Sequence, residues 1–261
     1  MTNRIKKTFE NLQLNNKKGI ILYLTTGIPD NKTTAELALE LFNSGADIIE
    51  LGIPFSDPLA DGVTIQQSSQ KALEKGVNID TCFDVCSMIR NKNENNPIVL
   101  MGYYNPILQY GLDEFISKAK LCGVDGIIVP DLPLEESLIL SEKCSASDIN
   151  LIYLIAPTTS TSRIKEICEK GSGFLYCVSV AGITGARNTL STEGIDLVNE
   201  VKLHSTVPVA LGFGISTKNQ LSEVNKHADA GIIGSALVNI ISNSDKSTVV
   251  KNATNFLKGL Q

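Results

Sequence analysis

The chain has 261 residues, with 23 Lys and Arg against 28 Asp and Glu and a formal net charge of -5. A content of 43% hydrophobic and 20% charged residues is that of an ordinary globular protein and excludes a disordered chain. A mildly acidic chain offers no basic field for nucleic acid or an anionic membrane, so any phosphate ligand has to be met by local donors.

The first nineteen residues are polar and periodic, with no apolar stretch of signal-peptide type and with Glu10 among the basic residues. No run approaches the roughly 18 apolar residues of a membrane span. The expectation is a soluble, unprocessed chain. Cys82, Cys86, Cys122, Cys144, Cys168 and Cys177 form no CxxC pair, and Cys82 and Cys86 have no histidine nearby in sequence to complete a zinc site. They read as free thiols in a reducing compartment.

Residues 4–14 predict a short amphipathic helix with Ile5, Phe9 and Leu12 on one face. From Gly19 onward an apolar strand, a loop and an amphipathic helix recur. The first strand is Ile20 to Leu24, and Asp30 or Asn31 caps a helix closed by Gly45. The second strand is Ile48 to Leu51, followed by helical stretches at 64–75 and 80–91. Ile98 to Met101 form the third, running into Tyr103, Tyr104, Asn105 and Pro106, with a helix at 113–121. Ile127 to Val129 form the fourth, followed by Pro130 to Pro133 and a helix begun by Glu135 and Glu136. The fifth is Leu151 to Ile155, with Ser160 or Thr161 capping the next helix. The sixth is Phe174 to Val178, the seventh Val207 to Leu211, the eighth Gly231 to Ile233, and a helical region ends the chain.

Strands alternating with helices, without an Asn-Gly hairpin signal between strands, imply parallel pairing through crossovers. About eight such units in this length predict an α/β fold: a (β/α)8 TIM barrel with an extra N-terminal helix, residues 1–261 forming one domain. An open doubly wound sheet would want a glycine-rich turn after the first strand, and Thr25-Thr26-Gly27-Ile28-Pro29 is not GxGxxG.

In such barrels the chemistry lies at the C-terminal ends of the strands. Glu50 interrupts a buried apolar strand, where an ionised carboxylate is costly unless it lines a cavity. The loop beyond it is stiffened by Pro54 and Pro58 and carries Asp57 and Asp61. Tyr103, Asn105, Asp131 and Tyr176 also fall at strand ends, although Asp131 has a plainer reading as a cap for the next helix. Gly212, Phe213 and Gly214 after the seventh strand, and Gly234 and Ser235 after the eighth, suit a phosphate held by backbone N–H groups and a helix N-terminus. Gly182 to Gly185 would supply a third wall. His204 and His227 lie on helices or helix ends without metal spacing, so no metal ligand is expected. The lack of a lysine just after a strand argues against Schiff-base chemistry. Carboxylates and tyrosines remain.

The segment IELGIPFSDPLADG, from Ile49 to Gly62, together with YYNPI, VPDLPLEE and VAGITGAR, closely resembles the tryptophan synthase α-subunit family over essentially the whole chain. The resemblance implies a lyase that cleaves indole-3-glycerol phosphate into indole and glyceraldehyde 3-phosphate in tryptophan biosynthesis. It implies Glu50 as acid/base and Asp61 as partner of the indole nitrogen. It implies substrate contacts from Tyr176, Thr184, Gly185, Phe213, Gly214, Gly234 and Ser235, with Thr184 on a mobile loop that reaches the catalytic aspartate. It implies no cofactor in this chain, pyridoxal phosphate in a β-subunit partner, an αββα complex with the Asp57 loop at its interface, and a cytoplasmic or plastid setting. Val63, where the family usually has proline, and Val180-Ala181, at a variable loop position, depart from the pattern. A rival enzyme reading is another barrel acting on phosphorylated sugars, and a rival of another class is a weakly catalytic subunit that activates its β partner.

Overall fold

The computed structural model describes residues 3–179, 192–212 and 214–261. In chain order the elements are α1 (Arg4–Leu14), β1 (Gly19–Thr25), α2 (Asn31–Asn43), β2 (Ile48–Gly52), α3 (Val63–Glu74), α4 (Ile79–Arg90) and β3 (Ile98–Met101). Then come α5 (Tyr104–Tyr110), α6 (Leu112–Leu121), β4 (Gly126–Ile128), α7 (Leu138–Ala146), β5 (Asn150–Ile152), β6 (Leu154–Ile155) and α8 (Thr161–Lys170). The last third holds β7 (Leu175–Val178), α9 (Thr192–Lys202), β8 (Val209–Gly212), α10 (Lys218–His227), β9 (Ala230–Ile233), α11 (Ser235–Ser242) and α12 (Val249–Leu260).

The strands pair in parallel in the order β5-β4-β3-β2-β1-β9-β8-β7-β6. The two ends of that order, β5 and β6, are consecutive in the chain and separated only by Tyr153. The nine segments are therefore an eight-stranded closed barrel whose fifth strand breaks once as it passes from β4 to β7. Closure removes the sheet edge. The expected (β/α)8 barrel with an extra N-terminal helix is the observed architecture.

Period-2 alternation sorts each strand's residues. Ile21, Ile48, Val99, Ile128, Ile152, Phe174, Ala210, Ala230 and Ile232 fill the barrel, and their outward neighbours, such as Leu22, Ile49, Leu51 and Leu100, pack under the helices. Helix α1 plugs the N-terminal mouth with Ile5 and Phe9, the latter 5.9 Å from Phe174 between ring centroids. Gly126 makes room for this plug, since a methyl group there would lie 2.8 Å from Ile152 and 3.1 Å from Ile5. Arg4 and Arg90 both bind Asp125, at 2.9 and 3.0 Å, and Asp125 also accepts the Ile98 N–H. The plug is thus latched to the start of β4.

Helix α5 adds to the sequence expectation, which gives Tyr104, Asn105 and Pro106 only as the run that follows the third strand. Pro106 sits in the first turn, where its missing N–H costs no hydrogen bond. The N-terminal N–H of Tyr104 donates to Asp131 Oδ1 at 2.9 Å. Asp131 therefore caps a helix 27 residues upstream rather than the one that follows it, a tertiary contact that local sequence does not reveal.

Candidate active site

Alternation along β2 turns Ile49 and Leu51 outward and Glu50 inward. Its register neighbours are Tyr23 on β1 and Val99 on β3. Glu50 is 1% exposed, and its Oε2 has no hydrogen-bond partner among the described residues. Burial first, and then the charge of Asp61, push its pKa up to about 8. At neutral pH Glu50 is mostly a proton carrier.

Asp61 closes the loop between β2 and α3. Its N–H donates to the Pro58 carbonyl at 3.0 Å, and its carbonyl accepts from Gln66 Nε2 at 2.8 Å. The Tyr103 hydroxyl accepts the Ala60 N–H at 2.9 Å, and Phe55 packs on the Tyr103 ring at 5.2 Å. The sequence expectation puts Asp61 on a polar loop where it stays ionised. The structure half-buries it, and burial raises its pKa to about 6 against a lowering hydrogen bond from Tyr103. It is an anion at pH 7 but not in mild acid.

Tyr176 packs against the barrel interior from β7 and lies over Gly212 on β8. A methyl group at Gly212 would come within 2.6 Å of the Tyr176 ring and 2.7 Å of its hydroxyl. Gly214 takes φ +60, the left-handed region that favours glycine. Gly234 precedes α11, Ser235 opens it, and no side chain caps its first turn. Those free N–H groups and the positive end of the helix suit an anion. Gly234 also stands above Tyr23, since a methyl group there would be 3.7 Å from Tyr23 Cβ. Gly234 therefore lies beside the strand that pairs with β2, at the C-terminal end of the barrel.

Thr184, Gly185 and Phe213 lie outside the described residues, as do Gly182, Val180 and Ala181. Asp57 stands apart from the cavity: it is exposed and accepts from its own neighbour Ser56 at 2.5 Å. His204 and His227 sit at helix C-termini, 3.5 and 3.9 Å from Glu200 and Glu223. Among the described residues no three His, Cys, Asp or Glu side chains cluster to hold a metal ion. All six cysteines are free, and all but Cys122 are buried. Tyr23 is a site residue that sequence reasoning misses. The available signal is its position in β1, which a parallel register with β2 brings beside Glu50.

A cleft of about 830 Å³ lies at the opposite, N-terminal end of the barrel, between α1 and Lys18, Lys202 and Asp229. A smaller one of about 390 Å³ lies at the C-terminal end, lined by residues 129–134, Tyr153 and Arg163. No helix among the described residues is long and apolar enough to cross a membrane.

The model of the family described as tryptophan synthase alpha chain matches residues 9–260. The tryptophan synthase alpha chain of Chloroflexus aggregans is 45% identical over 258 residues, covering 99% of this chain and 97% of its own. That of a Thermoanaerobacter species is 45% identical over 260 residues, covering 99% and 98%. Among solved structures, tryptophan synthase subunit alpha from Legionella pneumophila superposes with a TM-score of 0.91 at 37% identity, covering 100% of this chain and 97% of that one. A chain of the aminoacrylate-bound tryptophan synthase of M. tuberculosis superposes with a TM-score of 0.88 at 30% identity, covering 100% of both. With two electrostatically coupled carboxyls of unlike burial beyond and within β2 and likeness along its whole length, the chain belongs to the tryptophan synthase alpha chain family.

Proposed function

We propose that Glu50 and Asp61 divide the acid–base work of the α reaction of tryptophan synthase, the retro-aldol cleavage of indole-3-glycerol phosphate to indole and glyceraldehyde 3-phosphate. The observation that carries this reading is the pairing itself: a buried carboxyl pushed up to about 8 beside a half-buried one at about 6. At pH 7 one is predominantly an acid and the other a base.

Glu50 gives its proton to indole C3, which makes the ring an electron sink, while Asp61 takes up the developing positive charge at the ring N–H. The bond from C3 to the side chain then breaks, its electron pair returning to the ring. The hydroxyl on the departing carbon loses its proton to the Glu50 carboxylate as that carbon becomes the aldehyde. Glu50 ends as it began, so the step balances without a further reactant. The indole ring supplies the electron sink, and the residues named here need only move protons and hold charge.

The phosphate is assigned to the first turn of α11, at Gly234 and Ser235, with the Gly214 turn beside it. Thr184, Gly185 and Phe213 complete the assignment by resemblance. Tyr176 covers one wall of the ring site. The β subunit is assigned as partner and as the carrier of pyridoxal phosphate. The loop of Asp57, Pro58 and Leu59 supports a docking role: Leu59 is 92% exposed, and Val63 at the start of α3 is 68% exposed close by in the chain.

The test is indole release from indole-3-glycerol phosphate, with and without a β subunit, for wild type and Glu50→Gln. Wild type should release indole with a bell-shaped kcat/KM limited by apparent pKa values near 6 and 8, which belong to the coupled pair. Glu50→Gln should still bind a substrate analogue and lose release by at least about a hundredfold. No release by wild type, even with a competent β subunit, would overturn the lyase reading in favour of a binding or activating role.

A further inference from the structure

Tyr23 and Glu50 are direct register partners on β1 and β2, and Thr25 is the partner of Gly52 two residues further on. Tyr23 and Thr25 share one face of β1, as Glu50 and Gly52 share one face of β2. The Tyr23 ring leans across this step. A methyl group at Gly52 would overlap the Tyr23 hydroxyl oxygen and lie 2.5 Å from the carbon that bears it. The hydroxyl therefore occupies the space that any side chain at position 52 would fill, beside Glu50 on the same face. Only glycine at position 52 permits this. Tyr176 over Gly212 repeats the arrangement on β7 and β8, again with the glycine at the C-terminal end of the neighbouring strand.

Three polar side chains, Tyr23, Thr25 and Glu50, share this face of the two strands. Among the described residues Glu50 Oε2 and Thr25 Oγ1 are both buried without a hydrogen-bond partner, and the Tyr23 hydroxyl lies next to Thr25. A carboxylate formed here after proton transfer is expensive unless a donor reaches it. Desolvation keeps the Tyr23 phenol protonated far above neutral pH, so it remains a donor throughout. The titratable groups facing Glu50 are Tyr23 from β1, Asp61 from the loop before α3 and Tyr176 from β7; Tyr103, at the start of α5, couples to Asp61 and Tyr23. Among these Asp61 repels the Glu50 carboxylate, Tyr103 is turned to Ala60 and Asp61, and Tyr23 is the register neighbour.

We infer that Tyr23 is a positioning residue for Glu50: its hydroxyl donates to the Glu50 carboxylate while that group lacks its proton, and turns to Thr25 Oγ1 when Glu50 is protonated. Gly52 is the residue that makes the swing possible. The inference rests on the reading of Glu50 as the proton shuttle.

The experiment is Tyr23→Phe in the complex with the β subunit, measured as kcat and KM for indole release across pH from about 5.5 to about 9.5, beside Glu50→Gln. Phenylalanine keeps the packing and removes only the donor. Losing a hydrogen bond to a charged group should lower kcat by roughly 10- to 100-fold with KM little changed. Because the donor stabilises the carboxylate, its loss should also move the alkaline limb of kcat/KM to higher pH. A merely structural role would leave that limb in place. Glu50→Gln inactive with an unmoved limb in Tyr23→Phe overturns this inference alone. Glu50→Gln still active overturns the shuttle reading and this inference with it.

Discussion

A carboxyl that holds its proton to about pH 8 when folded, against an ordinary 4.5, must weaken the fold as the pH rises. Between those two values the folded chain carries a proton that the unfolded chain has released, so stability falls across that window, fully spared below pH 4.5 and fully lost above about pH 8. Each tenfold difference in proton affinity is worth about 1.4 kcal/mol. The cost is then on the order of 1.5 kcal/mol at about pH 5.5, about 3 at about pH 7 and about 5 by about pH 9. Glu50→Gln removes the titration while keeping the shape. Its own cost, a buried amide in place of a buried acid, does not change with pH. The Asp61 titration, which has the same sign, is common to both proteins and largely cancels. The melting temperature of Glu50→Gln relative to wild type should therefore climb by about 3 kcal/mol of stability between about pH 5.5 and 9, roughly 6–12 °C for a chain of this size. Parallel thermal melts by circular dichroism read it directly. A difference between the two proteins that stays within about 2 °C over that range would mean that folded Glu50 titrates near its unfolded value and that no buried acid is stored at the site.

Tyr103→Phe should act on the other carboxylate. The hydrogen bond from Tyr103 holds the Asp61 pKa down, so its loss raises that pKa above about 6 and moves the acid limb of kcat/KM to higher pH, costing severalfold in rate at about pH 6.5; an acid limb that stays put would deny the contact. Asp125→Ala strands two guanidiniums and the Ile98 N–H at the barrel floor. It should cost about 3 kcal/mol, the lower end for a broken buried pair because Arg4 keeps partial access to water. Its kcat per folded molecule should match wild type, since the latch lies at the end of the barrel opposite Glu50. A drop in kcat at full folding would show that α1 communicates with the cavity.

The barrel is legible because its signals are local. β-branched runs bounded by glycine and proline, and helices with apolar faces, are written in adjacent residues. α1 falls at Arg4–Leu14, as its spacing predicts. Most other strand and helix boundaries shift by one or two residues, as with β8 beginning at Val209 rather than Val207, but Glu135 and Glu136 lie in a short 3-10 turn and the helix expected to begin with them starts at Leu138. What local pattern cannot show is anything that depends on contact across the sheet. The sequence reading names no helix at α5, whose first N–H is capped by Asp131 from the next loop. The fifth strand divides at Tyr153, its first part pairing only with β4 and its second only with β7, which no local pattern announces. Glu50 is visible as an acid within an apolar strand, whereas Tyr23 looks like one more aromatic in a buried run. Its meaning depends on the register with β2 and on the empty space at Gly52.

Two buried carboxyls in this chain separate stability from chemistry. Asp125, 4% exposed, is answered by Arg4, Arg90 and the Ile98 N–H. Glu50, 1% exposed, faces an anionic Asp61, and one of its oxygens has no partner among the described residues. Burial pushes the pKa of both upward, and among the described residues only at Asp125 do cations oppose it. A group so fully answered has no freedom to give and take a proton. One left unanswered keeps its proton at neutral pH and, once it has given that proton up, is a strong enough base to take one back from the substrate hydroxyl. The N-terminal end, plugged by α1 and latched by Asp125, is where the fold can offset the cost of leaving Glu50 unpaired at the other end. This follows from the barrel's polarity: side chains at strand starts meet the plug, and those at strand ends meet loops that can admit a ligand.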